Sequence, residues 1–243
     1  MRMSLVTASF NCDKYLGDCI KSVRSQGFGD YEHLILDDCS TDNTHKVLKK
    51  FSKNDPHIRV INTDVRLRCG AAYRKLSIEA QGDIICVLDS DDALASNAIK
   101  KLLELYDKNP DVDYIWTQFW LCDRALKKLK KGFSSHPGAR TLLEAGIEGQ
   151  HCFSHWRTFR RKLLEKGPVF PEKLKSAVDK YMGYALEELG NGGFVNIPMY
   201  KYRQRVGGLS FTGRKNWKIM KKQFADKRRE KNTYVYPIRK IKI

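Results

Sequence analysis

The sequence predicts an α/β protein with a single domain, in which a mostly parallel central sheet carries helices on both faces and a basic helical C-terminal tail follows. Two observations support this fold class. Over residues 1–118, short apolar runs alternate with stretches that have the 3.6-residue periodicity of amphipathic helices, and this alternation is typical of parallel sheets. Beyond residue 213, lysine and arginine dominate, which indicates a segment of different character.

The individual elements follow from the same patterns. Five apolar runs rich in β-branched and aromatic residues are predicted strands, at 4–10, 31–37, 58–62, 83–89 and 112–119. Helices are predicted around 15–24, 47–51, 71–80, 97–108 and 178–189. The basic stretch 125–140 indicates a loop or a hairpin, and the run 194–203 indicates a strand broken by Pro198.

Length and composition restrict the class of protein. The 243 residues suffice for one large α/β domain or two small ones. No apolar run approaches the roughly 20 residues that span a bilayer, and the N-terminal "MRMSLVTASF" lacks the apolar core of a signal peptide. Seven cysteines without a C-x-x-C pair suggest neither a disulfide framework nor a zinc site. We therefore expect a cytoplasmic protein.

The positive charge is concentrated at the C-terminal end. Of the formal net charge of +17, residues 214–243 contribute +10, from twelve basic and two acidic side chains. Trp217, Met220 and Phe224 are spaced as one apolar stripe of a helix. Three interpretations remain open. The helix binds the inner surface of a membrane as a peripheral contact, or its charges attract a polyanionic acceptor or, less favoured, nucleic acid, or the stripe packs on the domain or on a second subunit in a homodimer.

Two of the loops that follow predicted strands are acidic. Because the carboxyl ends of parallel strands lie at one edge of a sheet, we expect their carboxylates around one cleft. They belong to Asp37, Asp38, Asp89, Asp91 and Asp92. Like charges gather only around a cation or a hydrogen-bonding ligand, and oxygen ligands suit Mg²⁺ or Mn²⁺, which in turn hold phosphates. The alternative, helix capping, stays open for Asp92 and is favoured for Asp42.

Four segments, taken in order, resemble a known family. They are "SLVTASFNCDKYLGDCIKSVRSQGFGDYEHLILDDCSTDNTHKVLKKF", "EAQGDIICVLDSDDAL", "FPEKLKSAVDKYMGYALEELGN" and "YKYRQRVGGLS". Over roughly residues 3–211, the chain resembles the family 2 inverting glycosyltransferases of the GT-A fold. The resemblance implies one GT-A-like domain with a nucleotide-sugar-binding half at 1–118 and an acceptor-binding and catalytic half at 119–213. The basic amphipathic extension at 214–243 lies beyond the resemblance.

The resemblance also implies roles for individual residues. Asp179 would be the general base that removes the proton of the acceptor hydroxyl. Asp89 and Asp91 match the family's D-x-D pair and would hold Mn²⁺ or Mg²⁺, with Asp91 in direct contact. The nucleotide sugar would be bound by Ser9, Asn11, Asp38, Arg74, Asp89 and Arg205. The acceptor pocket would include His151, His155 and Trp156.

The position of Asp38 favours certain donors. Its carboxylate can accept the imide N–H of uracil or thymine, or the N1–H of guanine, whereas cytosine has no such proton. We expect a UDP-sugar, towards which the resemblance leans, with a dTDP-sugar as the alternative. The acceptor is expected to be a hydroxyl of a glycan, of a lipid-linked molecule or of another compound.

The sequence departs from the family pattern at several places. Cys39 replaces a usual glycine after the aspartate pair, so we expect that this position does not need a positive φ. Ala177 and Val178 stand where many members carry a second acid before the catalytic aspartate. Arg205 stands where a histidine is common near the diphosphate, and its permanent charge is suited to pairing with phosphate.

The predicted function is therefore metal-dependent, inverting transfer of a sugar from a nucleotide-diphosphate donor. Two alternatives come from other classes. A nucleotidyltransferase would carry a glycine-rich basic loop after the first strand, and "ASFNCDKYLGD" is not such a loop. A catalytically inactive, transferase-like scaffold that binds through its basic surface would not need to keep Asp38, Asp89, Asp91 and Asp179 together.

Overall fold

A computed structural model describes residues 1–174, 176–205 and 214–242. The segment "VGGLS" at 206–210, near the end of the family resemblance, lies outside the described residues. The strands are β1 (Met3–Ser9), β2 (Tyr31–Asp37), β3 (Ile58–Asn62), β4 (Ile84–Val87), β5 (Ala93–Leu94), β6 (Tyr114–Cys122), β7 (Lys128–Lys131), β8 (Arg157–Arg160), β9 (Gly192–Arg203) and β10 (Ile238–Lys240). The helices are α1 (Asp13–Arg24), α2 (Thr44–Ser52), α3 (Arg68–Glu79), α4 (Ala98–Lys108), α5 (Leu142–Ile147), α6 (Leu163–Lys166), α7 (Val178–Leu189) and α8 (Arg214–Lys231).

The strands of the described part form a single sheet. Its order is β10-β9-β6-β8-β4-β1-β2-β3, with β5 beside β9 and β7 beside β6. Strands β1 to β4 are parallel to one another, as are β6, β9 and β10. The short β8 runs antiparallel to both β4 and β6, and so joins an N-terminal half of the sheet to a C-terminal half that points the same way. The prediction of a mostly parallel sheet is confirmed.

Helices cover both faces of the sheet, as predicted. Helices α1, α2 and α4 pack on one face through residues such as Leu16 and Leu102. Helices α3, α5, α7 and α8 pack on the other face, through residues such as Leu76 and Leu186. All four side chains are fully buried, and each contributes about 1.5–3 kcal/mol to folding by leaving water.

Several element predictions need correction. The predicted hairpin at 125–140 is present as β7, which pairs with β6. Strand β9 is not broken at Pro198. It continues through the proline, and its register against β6 shifts there, because proline cannot donate a ladder hydrogen bond. The missed elements include β8, β10 and α5, although the capping box that Thr141 and Glu144 form at the start of α5 was visible in the sequence.

The basic tail forms α8, whose apolar stripe packs on the domain. Met220 and Phe224 are buried, with 2% and 7% of their surface exposed. The Phe224 ring lies 5.5 Å from that of Tyr184 on α7, and the indole N–H of Trp217 donates to the Tyr184 hydroxyl at 3.2 Å. These side chains are therefore in contact with the domain, as one of the three interpretations expected.

Part of the charge of α8 is balanced by the domain. The Arg228 guanidinium lies 2.6 Å from Glu187 and 2.9 Å from Glu188, and the Lys227 ammonium lies 2.6 Å from Glu188. Glu187 is fully buried and also accepts from the backbone N–H groups that begin α5. Among the described helices, none is long and apolar enough to cross a membrane.

Candidate active site

The carboxyl ends of β1, β2 and β4 lie side by side, and the loops that follow them form the candidate site. Asn11, with a φ of +50°, joins the first two loops. Its side-chain oxygen accepts from the N–H of Thr41 at 2.8 Å, and its own N–H donates to the Ser40 hydroxyl at 3.0 Å. Ser9 is 1% exposed, and its hydroxyl has no hydrogen-bond partner among the described residues.

Backbone amides hold the aspartate pair at the end of β2. Asp38 accepts from the N–H of Leu67 at 2.6 Å and of Arg68 at 2.8 Å, where α3 begins. Asp37 accepts from the N–H of Ser40 at 3.1 Å. Asp38, predicted to bind the base, is 4% exposed, and its Oδ1 also accepts from the Thr63 hydroxyl at 3.5 Å.

The residue after this pair adopts a left-handed conformation. The expectation that Cys39 needs no positive φ is wrong, because its φ is +60°. The thiol lies 2.9 Å from the carbonyl oxygen of Thr63 on the neighbouring loop. The tight turn is thus kept without glycine, at a conformational cost of about 1–2 kcal/mol.

Asp89, at the end of β4, is held by side chains rather than by amides. The Tyr73 hydroxyl donates to one carboxylate oxygen at 2.6 Å, and the Arg157 guanidinium donates to the other at 2.7 Å. Burial opposes ionisation of this carboxyl, but Arg157, His155 and the Tyr73 hydroxyl together hold its pKa below the usual value. Asp89 is therefore an anion with both oxygens engaged.

The next two carboxylates contact residues of β9 and the loop that follows it. Asp91 accepts from the Nε–H of Arg205 at 2.5 Å. Asp92, which is 1% exposed, accepts from the Tyr200 hydroxyl at 2.9 Å and from the N–H of Arg203 at 2.7 Å. Burial raises the pKa of both carboxyls, and the neighbouring aspartates raise it further.

Asp92 does not cap α4, which begins six residues later. By contrast, Asp42 accepts from the first N–H groups of α1 and α2, the structural role that we favoured.

His155 lies between aromatic rings beside Asp89. Its ring stacks on Tyr200 at 4.8 Å and on Tyr202 at 4.9 Å. Its Nδ1 is 3.2 Å from the Arg157 guanidinium and 3.8 Å from Asp89. Because Arg157 can only donate, Nδ1 is the acceptor and the proton is assigned to Nε2. Burial and the charge of Arg157 lower the pKa of His155 to about 3, so the ring is neutral at physiological pH.

Asp179 lies in the first turn of α7 and contributes to the same electrostatic cluster. The helix N-cap is Ala177, with a φ of +60°, so Asp179 is not the capping residue. Its carboxylate lies 3.7 Å from the Lys180 ammonium and is 35% exposed. Burial raises its pKa, but Lys180, Arg157 and His155 outweigh this and lower it. Asp179 is therefore a partly exposed, ionised carboxylate within electrostatic range of Arg157.

Close packing fixes the segment that leads to Asp179. The N–H of Gly70 on α3 donates to the carbonyl oxygen of Leu174 at 3.3 Å. A Cβ at Gly70 would lie 2.4 Å from the carbonyl oxygen of Pro171 and 2.7 Å from that of Leu174. Only glycine allows this approach, which brings the segment before α7 against the helix that carries Tyr73.

The remaining predicted site residues lie in different surroundings. His151 is exposed and its ring lies 4.7 Å from that of Trp217, while burial and Lys180 lower its pKa. Trp156 is fully buried in the core, a position that does not support its prediction as an acceptor-binding residue. Arg74 is exposed on α3, and no contact of its side chain with the site carboxylates is seen among the described residues.

A metal ion needs open oxygen ligands, and the described residues offer few. Candidate ligand atoms within 4.8 Å of one another belong to Asp89, Asp92 and His155, rather than to the predicted pair Asp89 and Asp91. Both oxygens of Asp89 and of Asp92 already have partners, and the Arg157 cation contacts two of the three residues. A divalent cation here would meet a fixed positive charge. Asp89, Asp92 and His155, as arranged, do not fit a bound metal ion, whereas one oxygen of Asp91 accepts from Arg205.

Sequence reasoning missed the residues that hold these carboxylates. Arg157, Tyr73, Tyr200 and Arg203 are single residues in patterns that have no local signature. In a chain of net charge +17, one more arginine carries little information. The role of Arg157 comes from β-sheet register, since Val87 at the end of β4 pairs with Arg157 on β8.

Sequence comparisons agree with this architecture. A family model described as glycosyl transferase family 2 matches residues 4–167. The chondroitin synthase of Escherichia coli is 28% identical over 198 residues, which are 82% of this chain and 28% of that protein. The poly(ribitol-phosphate) beta-N-acetylglucosaminyltransferase TarS of Staphylococcus aureus is 25% identical over 184 residues, which are 74% of this chain and 31% of that protein. The chain thus spans about a third of the length of these curated relatives or less.

Solved structures share the fold. S. aureus TarS 1–349 in complex with UDP-GlcNAc matches with a TM-score of 0.72 at 22% identity, over 87% of this chain and 61% of that chain. The mannosyltransferase PcManGT from Pyrobaculum calidifontis, in complex with GDP-Man and Mn²⁺, matches with a TM-score of 0.58 at 15% identity, over 81% and 55%. The family model covers well over half of the chain, and the chain therefore belongs to glycosyl transferase family 2, with the GT-A fold.

Proposed function

We propose that this protein is an inverting glycosyltransferase that moves a sugar from a nucleotide-diphosphate donor to an acceptor hydroxyl, with Asp179 as the general base. The observation that carries the proposal is the position of Asp179, a partly exposed carboxylate with a lowered pKa beside the cluster of Asp89, Arg157 and His155. A general base must be ionised and reachable at neutral pH, and both conditions are met.

In the proposed reaction, Asp179 takes the proton of the acceptor hydroxyl as the oxygen forms a bond to the anomeric carbon. The bond between that carbon and the diphosphate oxygen breaks, and its electron pair leaves with the nucleoside diphosphate. Attack from the face opposite the leaving group inverts the anomeric configuration, so no covalent enzyme intermediate is needed. Positioning of the two substrates in one cleft supplies much of the rate.

A uridine nucleotide is the donor that we favour. The Oδ2 of Asp38 accepts the N–H of Arg68, and its second lone pair can accept the imide proton of a base. Nearby, the Arg66 guanidinium lies 3.3 Å above the Phe10 ring, a surface on which a base could stack. The complex of TarS with UDP-GlcNAc supports the same choice, and a dTDP-sugar remains the alternative.

The acceptor is proposed to be a hydroxyl of a glycan, because the curated relatives include a chondroitin synthase. Lipid-linked acceptors, homodimer formation, contact of 214–243 with a membrane and a cytoplasmic location stay predictions. Mn²⁺ or Mg²⁺ at Asp91 and Asp89 is implied by the resemblance, and the Mn²⁺ of PcManGT agrees with it. No step is assigned to the metal, because Asp89, Asp92 and His155 already have protein partners and do not fit it as arranged.

The proposal is tested by release of nucleoside diphosphate from UDP-, dTDP- and GDP-sugars, with and without an oligosaccharide mixture as acceptor. Asp179→Asn keeps the shape of the side chain but cannot accept the proton, so turnover is expected to fall about 100- to 10,000-fold. Asp226→Asn, which changes an exposed aspartate of α8, is the matched control and should leave turnover unchanged.

Two results would contradict the proposal. Retention of more than a tenth of the turnover by Asp179→Asn, at an unchanged melting temperature, would remove Asp179 from the role of base. Absence of release from every donor, whether Mn²⁺ or EDTA is present, would favour the inactive scaffold.

A further inference from the structure

Arginine side chains balance two of the three carboxylates that the segment after β4 brings to the site. Asp89 is paired with Arg157 at 2.7 Å and Asp91 with Arg205 at 2.5 Å. Asp92 accepts from the backbone of Arg203. Repulsion among carboxylates is the usual physical reason for a cation at such a cluster, and here the protein supplies the cations itself.

The three arginines differ in how far they reach the cleft. Arg157 is 6% exposed, and Arg203 is 3% exposed and bonded to Asp18 and to the main chain at Asp91. Arg205 keeps 30% of its side chain exposed, with its guanidinium carbon 5.7 Å from the centre of the Tyr15 ring. Of these three cations, Arg205 is therefore the one that an anionic ligand can contact.

We propose that Arg205 supplies the positive charge toward the donor diphosphate that a divalent metal would otherwise supply, so that nucleotide binding in this cleft does not require a metal. The inference rests on the proposed function, since it assumes a diphosphate donor. Asp89 and Asp91 were predicted to hold a metal ion. In the structure they form two ion pairs instead, Asp89 with Arg157 and Asp91 with Arg205, and Asp91 orients Arg205.

The chemistry of the guanidinium suits this role. Arginine stays charged at all physiological pH values and presents a planar set of N–H donors that matches phosphate oxygens. As the bond to the anomeric carbon breaks, the nucleoside diphosphate gains negative charge, and a fixed cation beside it stabilises that charge. The Asp91 carboxylate holds the Nε side of Arg205, so less side-chain entropy is lost when a phosphate binds.

The test is calorimetric titration with UDP, dTDP and GDP, in EDTA and in Mn²⁺, on the whole chain. We expect wild-type affinity for the favoured nucleotide to agree within about twofold between the two conditions. Arg205→Gln should weaken it about 10- to 100-fold in EDTA, since a hydrogen bond between charged groups is lost. Arg229→Gln, which changes an exposed arginine of α8, should have no effect.

A second variant tests whether a metal ion can take over the role of the Arg205 cation. Arg205→His replaces the cation by an imidazole that can bind a metal beside Asp91, and it should bind UDP more tightly in Mn²⁺ than in EDTA. Metal-dependent binding by the wild type, or unchanged affinity of Arg205→Gln in EDTA, would overturn the inference and leave the proposed function standing. Absence of binding by every nucleotide in both conditions would overturn the proposed function, and the inference with it.

Discussion

Two acidic loops lie at the same edge of the sheet, and their carboxylates are held in different ways. In the loop after β2, Asp38 is bonded to backbone amides of Leu67 and Arg68, all within the N-terminal half of the sheet. In the loop after β4, one oxygen of Asp89 is bonded to Tyr73 of α3 and the other to Arg157 of β8. The neighbours of Asp89 are bonded to residues of β9 and the loop beyond it.

The two loops differ in which part of the chain positions their carboxylates. A carboxylate held by amides of its own half is positioned by contacts within that half. Carboxylates held by side chains of the other half are positioned by contacts between the two halves. The candidate site therefore depends on the packing of β8 and β9 against the N-terminal half.

The largest expected effect concerns this packing. Phe224→Ala removes a ring that is 7% exposed and lies against Tyr181 and Tyr184 of α7. Loss of such a buried ring costs about 3–5 kcal/mol, and the free energy of unfolding, measured with urea, should fall by that amount. Ile219→Ala on the same helix, where the side chain is 51% exposed, should change it by less than about 1 kcal/mol.

Equal effects of the two variants would contradict the packing of α8 on the domain. In that case α8 would not stabilise the C-terminal half, and the contact of Trp217 with Tyr184 would not contribute to the free energy of unfolding.

A smaller effect tests the N-terminal loop. Asp38→Ala leaves the N–H groups of Leu67 and Arg68 without acceptors in a partly buried place, which costs about 1–3 kcal/mol in the free energy of unfolding. Asp91→Ala breaks a pair whose side chains are 21% and 30% exposed, so solvent can replace it and the cost should be about 1 kcal/mol or less.

Urea denaturation of both variants gives the comparison directly, with Asp38→Asn as a control because its amide oxygen still accepts one N–H. If Asp91→Ala were the more destabilising of the two, the distinction between an amide-held and a side-chain-held carboxylate would fail.

The N-terminal half of the sheet was predictable because buried parallel strands are apolar along their whole length. Residues 31–37 and 58–62 were predicted with the bounds of β2 and β3. By contrast, β8 has the sequence "RTFR", with an arginine at each end, and β10 has only three residues. Neither pattern differs from that of a polar loop, so the strands of the C-terminal half could be predicted only in part.

The acidic members of the site were visible for a similar reason. Carboxylates at the end of an apolar strand contrast with their surroundings, so Asp89 and Asp91 were singled out from the sequence. Their partners depend on contacts between residues distant in sequence. Arg157 reaches Asp89 through pairing of β8 with β4, and Arg205 reaches Asp91 across 114 positions. Arg205 was expected near a diphosphate, but its pairing with Asp91 is a result of the fold.

The smallest predicted effect compares one buried histidine from each half. His33 on β2 is 1% exposed, with its Nε2 2.9 Å from the Thr7 hydroxyl, and burial lowers its pKa to about 3. The pKa of His155 is also about 3, because burial and the Arg157 cation outweigh Asp89 and Asp179. In the unfolded chain both rings have a pKa near 6.5.

The sign of the pH dependence follows from these values. Below pH 6.5 the unfolded chain binds protons that the folded protein does not, so each ring destabilises the fold as the pH falls from about 6.5 towards 3. At pH 5 the loss is about 2 kcal/mol for each histidine. The carboxyls of Asp89 and Asp179, whose pKa values are lowered, stabilise the fold at both pH 7 and pH 5 and begin to lose that effect only near the usual carboxyl pKa of 3.8.

Urea denaturation at pH 7 and pH 5 measures the loss in the free energy of unfolding. His33→Gln and His155→Gln should each reduce it by about 2 kcal/mol, whatever their effect at pH 7, because each removes one group that binds a proton at pH 5 in the unfolded chain but not in the folded protein. His45→Gln, at an exposed position on α2, should leave it unchanged. A reduction by His33→Gln alone would mean that His155 can be protonated in the folded protein, and that the Arg157 cation does not lie beside it as described. Equal reductions would show that the two halves bury their histidines alike, although one ring rests against a hydroxyl and the other against the guanidinium that holds Asp89.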